Sequence, residues 1–182
     1  MNPHRIYDYL VLTRGKVLDW ARPLSDEQYR RTLPIGVGTL ARTLTHTFQA
    51  EWYYVHRIEG RLTPITDKPP VSDEAPPSLA ELESAWKVQS ARTRAALAAA
   101  WGMPNATAAS PTWMTPMEYR FIDDDKREMW VTASKADVFT QLAFHEVHHR
   151  AQAMAMLRQL GVANPPPEDL DFNSTMYTRR PA

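Results

Sequence analysis

The pattern of apolar and polar positions divides the chain into four helical segments and one short β-hairpin. From Ser134 to Leu160, residues Val138, Leu142, His145, His149, Gln152, Met156 and Leu160 recur at a core-facing helical period. Ser134 with Asp137 three residues on forms a start signal, and Gly161 then Pro165 a stop. A first helix is expected from about Pro3 to Ala21, turning Ile6, Leu10, Thr13, Val17 and Trp20 inward, and Pro23 ends it. Ser25-Asp26-Glu27-Gln28 reads as a short capped turn, and Gly36-Val37-Gly38-Thr39 opens a second helix reaching about Gly60. Residues 61–78 are rich in proline and lack periodicity, which predicts an ordered crossover loop. Ser78 and Glu81 make a capping box for a third helix running to Trp101, with Leu79, Leu82, Trp86, Thr93 and Leu97 inward. Its end, Ala95 to Ala100, is alanine-rich and favours helix.

Between Gly102 and Ala133 the period changes to two. Met117, Tyr119 and Phe121 alternate with polar residues, Asp123-Asp124-Asp125-Lys126 turns, and Met129-Trp130-Val131-Thr132 returns as the second strand. The acidic triplet lacks the glycine and distal glutamate of a calcium loop, so it reads as a solvated turn. After Gly161, Asn164-Pro165-Pro166-Pro167 begins an irregular tail. The expected fold class is all-α, a four-helix bundle with long connections and a small β-hairpin before the last helix. Its connections are too long for a simple up-down-up-down order. The chain reads as a single domain, 1–182, with its core at about 3–161 and the tail at 162–182.

Length and composition narrow the chemistry. A chain of 182 residues suits one domain. Lysine plus arginine equals aspartate plus glutamate at 21 each, so no basic field argues for nucleic acid. With no cysteine, any metal must be held by histidine or carboxylate. The longest apolar run, Ala95 to Trp101, is too short to span a bilayer. His4, Arg5, Asp8 and Arg14 interrupt any signal-peptide pattern, and a cytoplasmic location is expected.

His145 and His149 lie four residues apart, which places their Cβ atoms about 6 Å from each other on one helical face. Both occupy positions where a bundle helix places leucine or valine, and burying two imidazoles is costly unless something pairs with them. One core histidine is usually just hydrogen-bonded, but two on one stripe point to a metal. A third ligand must come from elsewhere. His46 shares a face with Thr43, Gln49, Ala50, Tyr53 and Arg57, distinct from the apolar stripe Leu40, Leu44, Val55 and Ile58. It is therefore the best candidate, a half-exposed histidine on a polar face being the plain alternative. His56 lies near the helix end and off that direction. His148 points about 60° from His145 and reads as a packing or supporting residue.

Leu44-Thr45-His46-Thr47-Phe48-Gln49-Ala50-Glu51-Trp52 and His145-Glu146-Val147-His148-His149-Arg150-Ala151-Gln152 resemble the two signature segments of the DinB family. This is a family of damage-inducible proteins and metalloenzymes with one histidine on the second helix and His-x-x-x-His-Arg-Gly-Gln on the fourth. The sequence departs at Ala151, where glycine is usual and a methyl would slightly crowd a close contact. The likeness runs from the first helix through Gly161. It implies that His46, His145 and His149 bind one divalent ion, such as zinc, nickel or iron, in a four-helix bundle. It further implies metal-assisted hydrolysis or transfer of a low-molecular-weight thiol, as in relatives that use bacillithiol or mycothiol. The opposing class is a non-catalytic metal-binding protein of the stress response. Nucleic-acid binding is suggested only by the family's damage-inducible character and is opposed by the neutral charge.

Three neutral imidazoles without a carboxylate leave an ion its full charge and open coordination positions. Tyr53, Arg57 and Gln152 are expected to orient a small anionic or carbonyl-bearing substrate there. His145-Glu146-x-x-His149 also matches the zinc-protease pattern, with Glu146 as general base. That reading needs a downstream ligand, for which only Glu168 in the tail is available. Glu146 also lies about 100° from His145, which places it nearer solvent than the stripe. The last helix carries a second apolar set opposite the histidines, Phe139, Ala143, Val147, Met154 and Leu157. A helix apolar nearly all round must be covered on both sides. A homodimer through this face is expected, with Arg150 reaching an acidic residue across it. The alternative cover is internal, from the hairpin or from Leu170, Phe172 and Tyr177 of the tail.

Overall fold

The structure, a computed structural model, describes residues 2–123, 125–162 and 170–178. The helices are α1 (Pro3–Ala21), α2 (Asp26–Arg30), α3 (Leu40–Ile58), α4 (Leu79–Ala100), α5 (Lys135–Gln159) and α6 (Phe172–Met176); the four long ones form where the apolar periods place them, and α2 and α6 are short additions. Capping boxes at Ser25/Gln28, Ser78/Glu81 and Ser134/Asp137 start α2, α4 and α5, and Thr39 caps α3 by accepting from the Arg42 N–H. Strands β1 (Met117–Ile122) and β2 (Glu128–Ala133) pair antiparallel, with Tyr119 opposite Val131. The protein is thus mostly helical with one two-stranded hairpin. The Arg120 N–H donates to the Leu62 carbonyl at 2.9 Å, which ties the hairpin to the crossover loop.

Among the long helices, α1 packs on α4 and α5, and α3 packs on α4 and α5. The apolar core falls into two clusters. One gathers Val17, Leu40, Phe48, Trp86, Met156 and Leu157, and the other Leu10, Val55, Leu97, Val138, Phe139 and Leu142. Along each long helix a polar level separates them, and there the buried Arg14 meets the buried Glu51 and Glu146. Arg14 Nη2 donates to Glu51 Oε2 at 2.7 Å and to Glu146 Oε2 at 2.6 Å, while Nε donates to Glu146 Oε1 at 3.0 Å. Tyr7 and Thr93 hydroxyls donate to Glu51 Oε1 at 2.6 Å each, and the Arg14 guanidinium lies 3.5 Å from the Trp86 ring centre. Burial works against the Arg14 charge, but Glu146 and Glu51 more than offset it and hold the guanidinium firmly protonated.

Several expectations change here. Glu146 is 3 % exposed and turns to α1, not to solvent. The face of α5 opposite the histidines is largely covered within the chain: Phe139, Ala143, Met154 and Leu157 are buried, and only Val147 stays open at 39 %. The cover is α1 together with Trp113 of a short 3-10 turn, Pro111–Trp113, and Leu170. Arg150 finds its partners inside the chain, at Thr13 Oγ1 (2.5 Å), the Tyr9 hydroxyl and the Leu170 carbonyl (3.3 Å). Ile6, Trp20 and Leu79 are partly buried, whereas α1 turns further residues inward, Tyr7, Tyr9, Arg14 and Leu18 among them. The tail is not wholly irregular, since α6 forms within it. Asp124, Pro165 and Glu168 lie outside the described residues.

Candidate metal centre

The histidines meet on the α3–α5 seam. Leu40, Leu44, Val55 and Ile58 are all buried, which turns the other face of α3, with His46, toward α5. His145 and His149, one turn apart on α5, face back. His46 Nε2 lies 3.2 Å from His145 Nε2, and one ligand atom from each of the three histidines lies within 4.8 Å of the others. An ion holding nitrogens at about 2.1 Å in tetrahedral geometry separates them by about 3.4 Å, so the cluster is near the spacing an ion needs. Ring centres are 4.3 Å apart for His145 and His149, 4.7 Å for His46 and His149, and 5.1 Å for His46 and His145.

The outer nitrogens show which atoms face inward. His46 Nδ1 is 3.2 Å from Asp73 Oδ2, and His149 Nδ1 is 2.9 Å from Gln152 Oε1. Both acceptors require an N–H at Nδ1, so Nε2 presents its lone pair to the centre, the tautomer a metal ligand needs. Burial, then the neighbouring His149, His46 and His148, push the His145 pKa down to about 3. Burial likewise lowers that of His149, so both rings are neutral near pH 7. The donor set and the polarity of its outer contacts suit a divalent metal.

Gln152, expected to face substrate, joins two histidines: its Oε1 accepts a hydrogen bond from His149 Nδ1–H and its amide N–H donates to His148 Nε2 at 3.0 Å. His148 thus contacts the glutamine that holds His149. Gly36 holds the glutamine from the other side; at φ +47 it is left-handed, and a Cβ there would overlap the Gln152 amide oxygen. Arg57 is fully buried. Its Nη1 donates to the Arg61 (2.7 Å) and Thr63 (2.8 Å) carbonyls, and its Nη2 to the Tyr53 hydroxyl (2.8 Å) and the Arg120 carbonyl (3.0 Å). The expected substrate cation is therefore a clasp for the crossover loop and hairpin, with Tyr53 attached to it. Tyr54 comes nearer the histidines, its ring edge-on 6.1 Å from that of His145.

His56 bonds the Trp52 carbonyl through Nδ1 at 2.8 Å, and His4 the Gly102 carbonyl through Nε2 at 2.7 Å, so neither joins the centre. The glutamate of the protease pattern is turned away, its carboxylate held by Arg14. Ala151 is exposed, so its methyl stands at the surface and not in a tight contact. The residue that sequence reasoning missed is Asp73. It lies in the proline-rich loop, outside both signature segments, where no period marks it.

The chain is mostly helical, and three histidines converge between two of its helices in a group that could hold a metal ion. A sequence profile of the DinB family matches residues 1–180, and the chain belongs to that family. Among curated proteins, none matches it. Among the described residues, no helix is long and apolar enough to cross a membrane.

Proposed function

We propose that this protein is a divalent-metal-dependent enzyme that acts on a small molecule, by metal-assisted hydrolysis or by transfer of a low-molecular-weight thiol. The observation that carries the reading is the convergence of His46, His145 and His149, with the outer nitrogens of His46 and His149 already engaged. His46, His145 and His149 would hold the ion, with zinc, nickel or iron as the candidates. When bound, it would supply a Lewis acid that lowers the pKa of a bound water or thiol and polarises a carbonyl. Asp73 and Gln152 hold the protons of His46 and His149 at Nδ1 and so keep the inner nitrogens free. The Tyr54 ring borders the centre on the His145 side.

The four long helices are read as a four-helix bundle in which α1 and α3, successive among the long helices, stand across a diagonal. The hairpin segment between α4 and α5 bridges the other diagonal, whereas the 61–78 loop joins α3 to the adjacent α4. The proposed setting is the cytoplasm, with a small-molecule substrate and neither nucleic acid nor membrane as partner. A non-catalytic metal-binding protein of the stress response is the second reading, favoured by one observation: the one arginine expected to bind substrate is consumed by backbone carbonyls.

Metal analysis of the purified chain, and of a variant with His46, His145 and His149 all changed to Ala, tests the site. One ion per chain in the first and none in the second is expected. Retained stoichiometric metal in the variant would sink the assignment. An esterase and thiol-transfer screen of the loaded wild type then separates the enzyme from the carrier, and a blank screen favours the latter.

A further inference from the structure

We propose that Asp73 is an outer carboxylate of the metal centre: a positioning residue that fixes His46 and offsets one unit of the ion's charge. The inference rests on the three-histidine reading above and extends it to a residue no signature contains. Asp73 is 27 positions from His46 along the chain, yet its Oδ2 lies 3.2 Å from His46 Nδ1, with both side chains partly shielded from water. Its backbone is fixed at both polar groups by α3 itself. The Asp73 N–H donates to Gln49 Oε1 at 3.1 Å, and its carbonyl accepts from Arg42 Nε at 3.2 Å. Arg42 and Gln49 lie one turn to either side of His46, so three residues of one helical face converge on this aspartate.

The simpler account is that the aspartate merely pins the loop to the helix. Other contacts already do that. Arg57 binds the loop at Arg61 and Thr63, Arg30 Nη1 holds the Pro76 carbonyl at 2.8 Å, and Gln49 and Arg42 hold the Asp73 backbone. None of these needs the carboxylate. What the carboxylate adds is a proton acceptor behind a ligand, which fixes its tautomer and raises its basicity. It also changes the charge balance. Three neutral imidazoles leave a divalent ion at two positive units, whereas the nearby carboxylate brings the assembly to one. A centre of that charge is matched by one singly charged donor, such as a thiolate or carboxylate, and disfavours a dianion such as phosphate.

The test compares the full-length wild type with Asp73→Asn and Asp73→Ala, loaded with cobalt(II) as a visible probe. Metal affinity should fall by about 10–100-fold in Asp73→Ala, and less in Asp73→Asn, which keeps an oxygen acceptor. Azide, a singly charged probe ligand, should bind the cobalt of Asp73→Asn more tightly than that of the wild type, because less of the ion's charge is offset. The melting temperature of the metal-free variants should stay at the wild-type value. A mere loop anchor predicts the reverse: a lower melting temperature, undiminished metal affinity or unchanged azide binding, and any of these overturns the proposal. A wild type that binds no cobalt sinks the three-histidine reading and this inference with it. A wild type that binds, with Asp73→Ala binding equally well, removes only the role of Asp73.

Discussion

At the scale of single residues, the centre is held by backbone permission and proton placement. Gly36 and Gly38 are both left-handed, at φ +47 and +97, and both resist a side chain for that reason. Only Gly36 also abuts Gln152; a methyl at Gly38 would meet nothing within 4 Å. Ala at either site should cost about 1–3 kcal/mol of stability from the backbone alone. Gly36→Ala should in addition weaken metal binding, because displacing Gln152 frees the His149 proton, whereas Gly38→Ala should not. Zinc competition titrations of the two variants make the comparison, and equal affinities would remove Gln152 from the site. Protonation gives a second expectation. His145 has a folded pKa of about 3 against an ordinary value of 6.5, so protons prefer the unfolded chain. Its contribution to stability is full above about pH 6.5 and is lost as pH falls from there toward 3. Metal-free wild type should therefore lose stability on acidification more steeply than His145→Leu, in denaturant titrations at about pH 7.5 and about pH 5. Parallel losses would contradict the burial of a neutral ring.

Helices α3 and α5 carry all three histidines, and what sets one against the other is partly ionic. Arg14 of α1 reaches Glu51 on α3 and Glu146 on α5 in the polar level between the two apolar clusters. Removing one partner of such a buried set strands the others without solvent. Arg14→Ala should therefore cost about 3–5 kcal/mol in urea unfolding. Arg14→Met combined with Glu51→Gln and Glu146→Gln should recover much of that loss, since the net cost of burying charge disappears with the charges. A change of under about 1 kcal/mol for Arg14→Ala would mean that the ions are not stabilising one another. Glu146→Gln alone bears on chemistry as well. The carboxylate faces α1 and not the histidines, so a metal-dependent hydrolysis should not lose its general base with this change, as a protease of that sequence pattern would.

For the whole molecule, two apolar clusters and three capping boxes stand apart from the histidines, so folding has its own driving force. Chelating the ion should lower the melting temperature by mass action and leave the helical circular dichroism signal in place at room temperature. Loss of that signal on chelation would make the ion structural, as in a zinc finger. Association is the other question at this scale. The expected homodimer drew on the back of α5, most of which α1, Trp113 and Leu170 cover within one chain. A two-fold contact through α5 would have to use Phe144 and Val147, which stay 69 % and 39 % exposed. Sedimentation of the wild type and Val147→Glu at micromolar concentration decides this, and a monomeric wild type removes the dimer.

Local rules made much of this protein legible. Capping pairs and apolar periods marked the four long helices and the hairpin, because those signals act within a few residues of where they are written. The same locality exposed His145 and His149 as a pair, one turn apart on a buried stripe. Periodicity reports that a side chain is inside, but not what it meets there. Helix geometry alone points Glu146 toward solvent, because its partner, Arg14, is 132 residues away on another helix. By sequence Arg57 reads as free for substrate, because nothing local shows that carbonyls of the crossover loop and of β1 claim it. The packing of α1 against α5 likewise decided that the second apolar face is an inner one. Asp73 shows the limit most plainly. An aspartate among prolines has no period, and only the path of the crossover loop over α3 brings its charge to His46.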